Sequence, residues 1–119
     1  MATILLIDDE ESMRLLCQGV LERAGYRVLT AEHGQHGLRL LEQEQVDVIL
    51  LDIFMPEMDG FELIPRLRKT RPDNKIIAMI GDSNYLTMAK HLGANDKLQK
   101  PFSVQDLLAA VSSHLENTS

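Results

Sequence analysis

Five short runs of strand length, each followed by a longer stretch of helical period, constrain this chain more than any other feature. They are Thr3–Ile7, Tyr26–Thr30, Val46–Leu51, Lys75–Ile80 and Asn95–Gln99. Several hold apolar side chains at consecutive positions, as in Ile4-Leu5-Leu6-Ile7 and Val48-Ile49-Leu50-Leu51. Successive strand side chains point to opposite faces, so such a run is apolar on both faces and needs cover on both. The intervening stretches supply it. Met13, Leu16, Cys17, Val20, Leu21 and Ala24 recur at helical spacing, and Gly25 is placed to cap the end. Gly37, Leu38 and Leu41 mark a second helix, and Phe61, Ile64, Leu67 and Arg68 a third. Tyr85, Met88, Ala89 and Leu92 mark a fourth. The fifth opens on Ser103-Val104-Gln105-Asp106, a capping box with Asp in place of Glu, and continues through Leu107, Leu108, Val111 and Leu115. Pro65 falls early in the third helix, where its missing N–H is placed to bend the first turns.

Five strand–helix units in succession imply a three-layer α/β domain with a doubly wound parallel sheet. Right-handed crossovers leave few topologies. The flavodoxin-like (βα)5 order 2-1-3-4-5 sets the first and third strands side by side at a switch point. The 119 residues suit a single domain over 1–119, and 45 % apolar residues suffice for a real core. No apolar stretch approaches the roughly 20 residues of a membrane helix, and no signal peptide is readable at the start. The lone Cys17 excludes an internal disulfide and reads as a small core residue, consistent with a cytoplasmic protein. A net charge of −6 without any basic run argues against direct nucleic-acid binding.

Chemistry gathers at the strand ends. Asp8 and Asp9 follow the first strand and Asp52 follows the third, in the crevice where open α/β sheets bind ligands. With those strands adjacent, three carboxylates converge. Two unit charges about 5 Å apart repel by roughly 3 kcal/mol at an effective dielectric of about 20. Such a cluster persists only with protons or a cation, and all-oxygen hard ligands suit Mg²⁺. Glu10 and Glu11 suit the first turn of the first helix, with Glu10 a secondary candidate near the metal. Asp59-Gly60 reads as a turn and helix start. His33, His36, His91 and His114 are scattered and suggest no metal site.

Asp8-Asp9, then Asp52 with Met55-Pro56 and Asp59-Gly60 behind it, then Lys100-Pro101, resembles the receiver domain of two-component response regulators, either single-domain (chemotaxis or sporulation type) or N-terminal to an output domain. The resemblance implies that Asp52 is the phosphoacceptor. Asp8, Asp9, Asp52 and the backbone carbonyl of Phe54 would hold Mg²⁺. Lys100 would pair with the phosphoryl group or Asp52, and Lys100-Pro101 would be cis. A carboxylate can attack phosphorus to give an acyl phosphate, given in-line positioning and neutralised oxygens. The protein would thus catalyse its own phosphorylation and slow dephosphorylation. The implied partners are a histidine kinase or histidine phosphotransfer protein and a downstream effector or output domain. They would meet the face of the fourth helix, fifth strand and fifth helix, through Tyr85, Lys90, Lys97 and Gln105.

The chain departs from the receiver pattern at two switch positions. Ile80 stands where receivers carry Thr or Ser, and Lys97 where they favour an aromatic ring. A hydrogen bond to a charged group is worth roughly 1.5–3 kcal/mol, a roughly 10- to 150-fold shift in a two-state equilibrium. Without it, the fourth helix and fifth strand should respond little to phosphorylation. Ser83 and Thr87 are near but out of register. Phe54 and Asp82 occupy positions that tune phosphoryl lifetime in receivers. Three other readings compete. A pseudo-receiver would bind partners without phosphorylation-driven switching. A haloacid-dehalogenase-like phosphatase would want Asp two residues beyond Asp8, where Glu10 stands. A flavodoxin would want a hydroxyl- and Gly-rich first loop.

Overall fold

A computed structural model describes residues 1–55 and 58–116. Pro56 of the Met55-Pro56 motif and residues 117–119 lie outside the described residues. The strands are β1 (Thr3–Ile7), β2 (Arg27–Ala31), β3 (Val48–Asp52), β4 (Lys75–Ile80) and β5 (Asp96–Gln99). The helices are α1 (Glu11–Arg23), α2 (Gly34–Gln43), α3 (Gly60–Thr70), α4 (Leu86–His91) and α5 (Val104–Glu116), with a 3₁₀ turn at Ser83–Tyr85 leading into α4. All strand pairs are parallel, in the order β2-β1-β3-β4-β5.

The alternation of side chains sorts the core into two layers. Leu5, Ile7, Ile49, Leu51, Ile76, Ala78 and Ile80 face one side, where Leu41, Leu63, Ile64, Leu67 and Ala89 cover them. Ile4, Leu6, Val48, Leu50, Ile77 and Met79 face the other, under Cys17, Leu21, Leu107 and Val111. Each fully buried Leu or Ile stabilises the fold by roughly 1.5–3 kcal/mol relative to an exposed one, which locks the register.

Strand boundaries move by a residue or two from the apolar runs, for local reasons. Tyr26 is consumed by the end of α1: its N–H donates to Leu21 O at 3.2 Å, around Gly25 at φ +99°. β2 therefore starts one residue later. Asp47 precedes β3 as a cap on β1, its carboxylate accepting from Thr3 N–H at 2.8 Å. Asn95 likewise stands before β5, its side chain accepting from Ile76 N–H at 2.8 Å. The capping box of α5 is present: Ser103 Oγ accepts from Asp106 N–H at 3.0 Å, and Asp106 Oδ2 from Ser103 N–H at 3.2 Å. Two periodic residues face outward instead of inward. Leu16 is 60 % exposed and Met88 48 % exposed. Leu16 borders a surface groove with Val20, Phe102 and Val104. α4 spans six residues with no side-chain cap bond, too short to bury its whole apolar stripe. Pro65 lies within α3 at an exposed position, and the helix runs on through it.

Candidate functional site

Parallel pairing of β1 with β3, Ile7 opposite Leu51, delivers Asp8 and Asp52 to the same end of the sheet. One carboxylate oxygen from each of Asp8, Asp9 and Asp52 lies within 4.8 Å of the others. Asp8 and Asp52 are buried and Asp9 is exposed. Lys100, at the end of β5, reaches in from the far side. Its Nζ lies 3.3 Å from Asp52 Oδ1 and 3.9 Å from Asp8 Oδ2. The Lys100 backbone is tied down by its N–H donating to Ile80 O at 2.8 Å, and the Lys100-Pro101 peptide is cis.

The β1–α1 loop is braced around Asp8. Asp8 Oδ1 accepts from Glu10 N–H at 2.9 Å, and Arg14 Nη1 donates to the Asp8 carbonyl at 2.8 Å. Arg14 gives no signal in the sequence, because its role depends on a backbone acceptor six residues earlier. Asp8 Oδ2 is buried without a hydrogen-bond partner among the described residues. Burial raises the pKa of Asp52 to about 6, helped by the Asp8 charge and opposed by Lys100. Burial also raises Asp8, against the Glu10 amide bond and the Lys100 charge.

Three carboxylates against one ammonium leave a surplus of negative charge, and a buried carboxylate oxygen without a partner seeks a donor or a cation. The donor set is all oxygen, as Mg²⁺ requires. Asp8, Asp9 and Asp52 therefore fit that ion. Glu10 does not join them: it precedes α1, and its Oε1 accepts from Ser12 Oγ at 3.3 Å.

The remaining sequence candidates separate from this cluster. Asp82 is a turn residue, its Oδ1 accepting from Asn84 N–H at 2.9 Å and its carbonyl from Tyr85 N–H at 3.2 Å. Ile80 is fully buried in the sheet, and Lys97 is exposed on the edge strand. Asp59 caps α3, accepting from Glu62 N–H at 3.1 Å. Gly60 beside it is buried, and an added Cβ would meet Ile53 Cα at 2.7 Å, so only glycine fits. His33 caps α2 through Nδ1, and His36 bonds Glu32 at 3.1 Å; the Glu32 backbone amide first, and then this bond, lowers the Glu32 pKa. His114 bonds Asp96 at 3.0 Å. Cys17 is buried, and burial pushes its thiol up to about 11, so it is unreactive.

A feature the apolar pattern concealed flanks the site. Phe54 packs edge-on against Tyr85 at 5.0 Å and Phe61 at 6.0 Å. Phe61 and Tyr85 meet at 5.6 Å. Phe61 reads as a core residue of α3, and only the path of two loops brings the three rings together.

Residues 4–112 match the response regulator receiver domain family. The chain is 37 % identical over 117 residues to the alkaline phosphatase synthesis transcriptional regulatory protein PhoP of Bacillus subtilis, covering 97 % of this chain and 49 % of that protein. It is 32 % identical to sporulation initiation phosphotransferase F of the same organism, covering 94 % of this chain and 92 % of that one. The chain spans about half or less of the length of the transcriptional regulators it matches. Among solved structures, a receiver domain protein of Clostridium thermocellum superposes with a TM-score of 0.92 at 31 % identity, covering 99 % of this chain and 97 % of that one. The chemotaxis protein CheY4 of Vibrio cholerae gives 0.89 at 32 % identity, covering 95 % and 98 %.

Proposed function

Because the chain belongs to the response regulator receiver family of two-component systems, we propose that it accepts a phosphoryl group on Asp52 and relays that state through its surface. The observation that carries this reading is the convergence of Asp8, Asp9 and Asp52 with Lys100 Nζ at 3.3 Å from Asp52 Oδ1. Lys100 holds the Asp52 carboxylate through Oδ1 at 3.3 Å, and that carboxylate is the group that attacks phosphorus. With a pKa of about 6 the carboxyl is mostly ionised at neutral pH and able to attack. The new Oδ–P bond forms as the bond from phosphorus to the donor nitrogen or oxygen breaks, and the leaving group keeps the electron pair. Lys100 then balances charge on the phosphoryl group as a point cation. Asp8, Asp9 and Asp52, with the Phe54 carbonyl that the family resemblance implies, would hold Mg²⁺, which would neutralise the phosphoryl oxygens further.

The donor is a histidine kinase or histidine phosphotransfer protein. The receiver of the signal is an effector protein or an attached output domain that meets the α4–β5–α5 face. Lys90, Lys97 and Gln105 are exposed there, whereas Tyr85 is half-buried against Phe54. That mixed, partly basic surface suits an acidic or mixed partner. Residues 1–119 act as one receiver domain in the cytoplasm, without direct nucleic-acid binding; no described helix is long and apolar enough to cross a membrane. Ile80 and Lys97 favour a partner-binding domain without phosphorylation-driven switching, and the convergence of Asp8, Asp9, Asp52 and Lys100 weighs against it. The phosphatase reading loses its acid/base, since Glu10 bonds Ser12 outside the carboxylate cluster.

Treatment with acetyl phosphate and Mg²⁺ should give one hydroxylamine-labile phosphate by mass spectrometry. It should be absent without Mg²⁺ and in Asp52→Asn, and slow to form in Asp9→Asn. Full labelling of Asp52→Asn would overturn the assignment.

A further inference from the structure

Asp8 is hydrogen-bonded at every polar atom but one. Its N–H donates to Ala31 O at 3.1 Å, just past Ile7, the last paired residue of β1. Its Oδ1 accepts from Glu10 N–H at 2.9 Å, and its carbonyl accepts from Arg14 Nη1 at 2.8 Å. Only Oδ2 is left. It is buried with no hydrogen-bond partner among the described residues, and Lys100 Nζ stands 3.9 Å away. Three bonds thus hold the residue while one buried oxygen stays open for a donor or a cation.

Asp9 is held differently. It is exposed, and no hydrogen bond or ion pair among the described residues holds its carboxylate. One of its oxygens nevertheless lies within 4.8 Å of a carboxylate oxygen of Asp8 and of Asp52. Its placement is therefore set by its backbone. A peptide unit is planar, so a bond to the Asp8 carbonyl fixes the plane that carries the Asp9 N–H and Cα. Arg14 makes that bond from the start of α1, where its own N–H donates to Glu10 O at 2.9 Å. The guanidinium has no carboxylate partner among the described residues, although Asp9, Glu10 and Glu11 are all close to it in sequence. A cation that bonds a neutral carbonyl amid so many acids acts through geometry.

Resting on the phosphoacceptor reading, in which these carboxylates hold Mg²⁺, we propose that Arg14 is a positioning residue that sets the affinity of the Asp8, Asp9 and Asp52 cluster for a divalent cation by fixing the Asp8–Asp9 peptide. Removing a partner that orients the ligands of a metal typically weakens its binding by roughly 10- to 100-fold. The charge of Arg14 works in the opposite sense, since a guanidinium near the cluster repels an incoming cation. Positioning and charge therefore give opposite signs for loss of this side chain. Binding weakens if Arg14 acts by geometry and tightens if it acts by charge.

The test is a Mg²⁺ titration of the unphosphorylated full chain, followed by the amide resonances of Asp9 and Glu10. Arg14→Met keeps the stem, removes both donor and charge, and should raise the Kd by about tenfold. Arg14→Lys keeps a donor and the charge, and should lie closer to the wild type than Arg14→Met does. In phosphorylation by acetyl phosphate, the loss should appear in the Mg²⁺ concentration that gives half the maximal rate, and much less in the rate at saturating Mg²⁺. Should Arg14→Met fold poorly, Arg14→Gln, whose donor falls short of the guanidinium tip, serves in its place. Wild-type or tighter Mg²⁺ binding in the neutral variant would overturn the proposal and leave the phosphoacceptor reading standing. A wild type that binds Mg²⁺ yet takes no phosphate on Asp52 would overturn that reading and leave the role of Arg14 in cation binding intact.

Discussion

Asp52 keeps its proton to about pH 6 when folded, against 3.8 for an ordinary aspartate, because burial and the Asp8 charge disfavour its ionised form. The folded state therefore binds more protons than the unfolded chain between those two values. The stability this group contributes is full below about 3.8 and is lost as pH rises through about 6. At neutral pH the ionised carboxylate burdens the fold, and Asp8 shifts in the same direction. Asp52→Asn removes the charge and keeps the shape, and Asp8 retains Lys100 at 3.9 Å. The variant should exceed the wild type in stability at pH 7 by about 1–3 kcal/mol. That advantage should shrink toward zero on acidification below pH 4. Urea unfolding at several pH values measures the difference directly, and an Asn variant less stable than the wild type at pH 7 would contradict it. A cost of this kind is what a site holds in reserve for a cation or a phosphoryl group.

At the scale of elements, α3 shows what periodicity reveals and what it conceals. Phe61, Ile64 and Leu67 announce the helix, and Leu63, Ile64 and Leu67 are indeed buried. Arg68 belongs to the same stripe by spacing, yet its role comes from partners beyond the helix, two of them just past its end and two near β5. Its Nη1 donates to Pro72 O at 2.9 Å and Asn74 O at 2.5 Å. Its Nη2 donates to Gly93 O and Asn95 Oδ1, both at 2.6 Å. One guanidinium thus pins the end of α3 to the entry of β4 and the turn before β5. Backbone acceptors leave no residue-type signal, so no reading of side chains alone could find this clamp. Arg68→Ala should destabilise the protein by about 1–2 kcal/mol, because three half-buried or exposed carbonyls and the Asn95 side-chain oxygen lose their shared donor together. Arg68→Lys should recover little, since a single ammonium cannot span the fork. Chemical denaturation of the three proteins decides it: equal midpoints would show that solvent replaces the clamp without loss.

At the scale of the whole molecule, two-faced apolar runs such as Ile4–Ile7 and Val48–Leu51 were enough to give a parallel sheet. The order of that sheet brought Asp8, Asp9 and Asp52 together. Lys100 was legible as part of a resemblance, and its 3.3 Å approach to Asp52 needed the fold. The ring contacts and the turn role of Asp82 were not legible, because they depend on loop paths. The two atypical switch positions also proved unlike each other. Ile80 is locked into the core layer with Ala89, whereas Lys97 faces solvent on the edge strand. A phosphoryl group at Asp52 has no hydroxyl to grip at the end of β4 and no ring to displace at β5, so β5 should stay nearly still. A ligand moves an equilibrium only through contacts that differ between the two states. Beryllofluoride with Mg²⁺ should therefore produce small amide shift changes in β5. Ile80→Thr should enlarge the response of α4 and β5, and only in part, since Lys97 still lacks a ring. The same substitution should lower stability by about 1–2 kcal/mol, because it trades buried carbon for a hydroxyl in a packed layer. Heteronuclear spectra of both proteins, with and without beryllofluoride, test the pair of effects. Large β5 shifts in the unmodified protein, undiminished beside Ile80→Thr, would show that the signal crosses the sheet by another route.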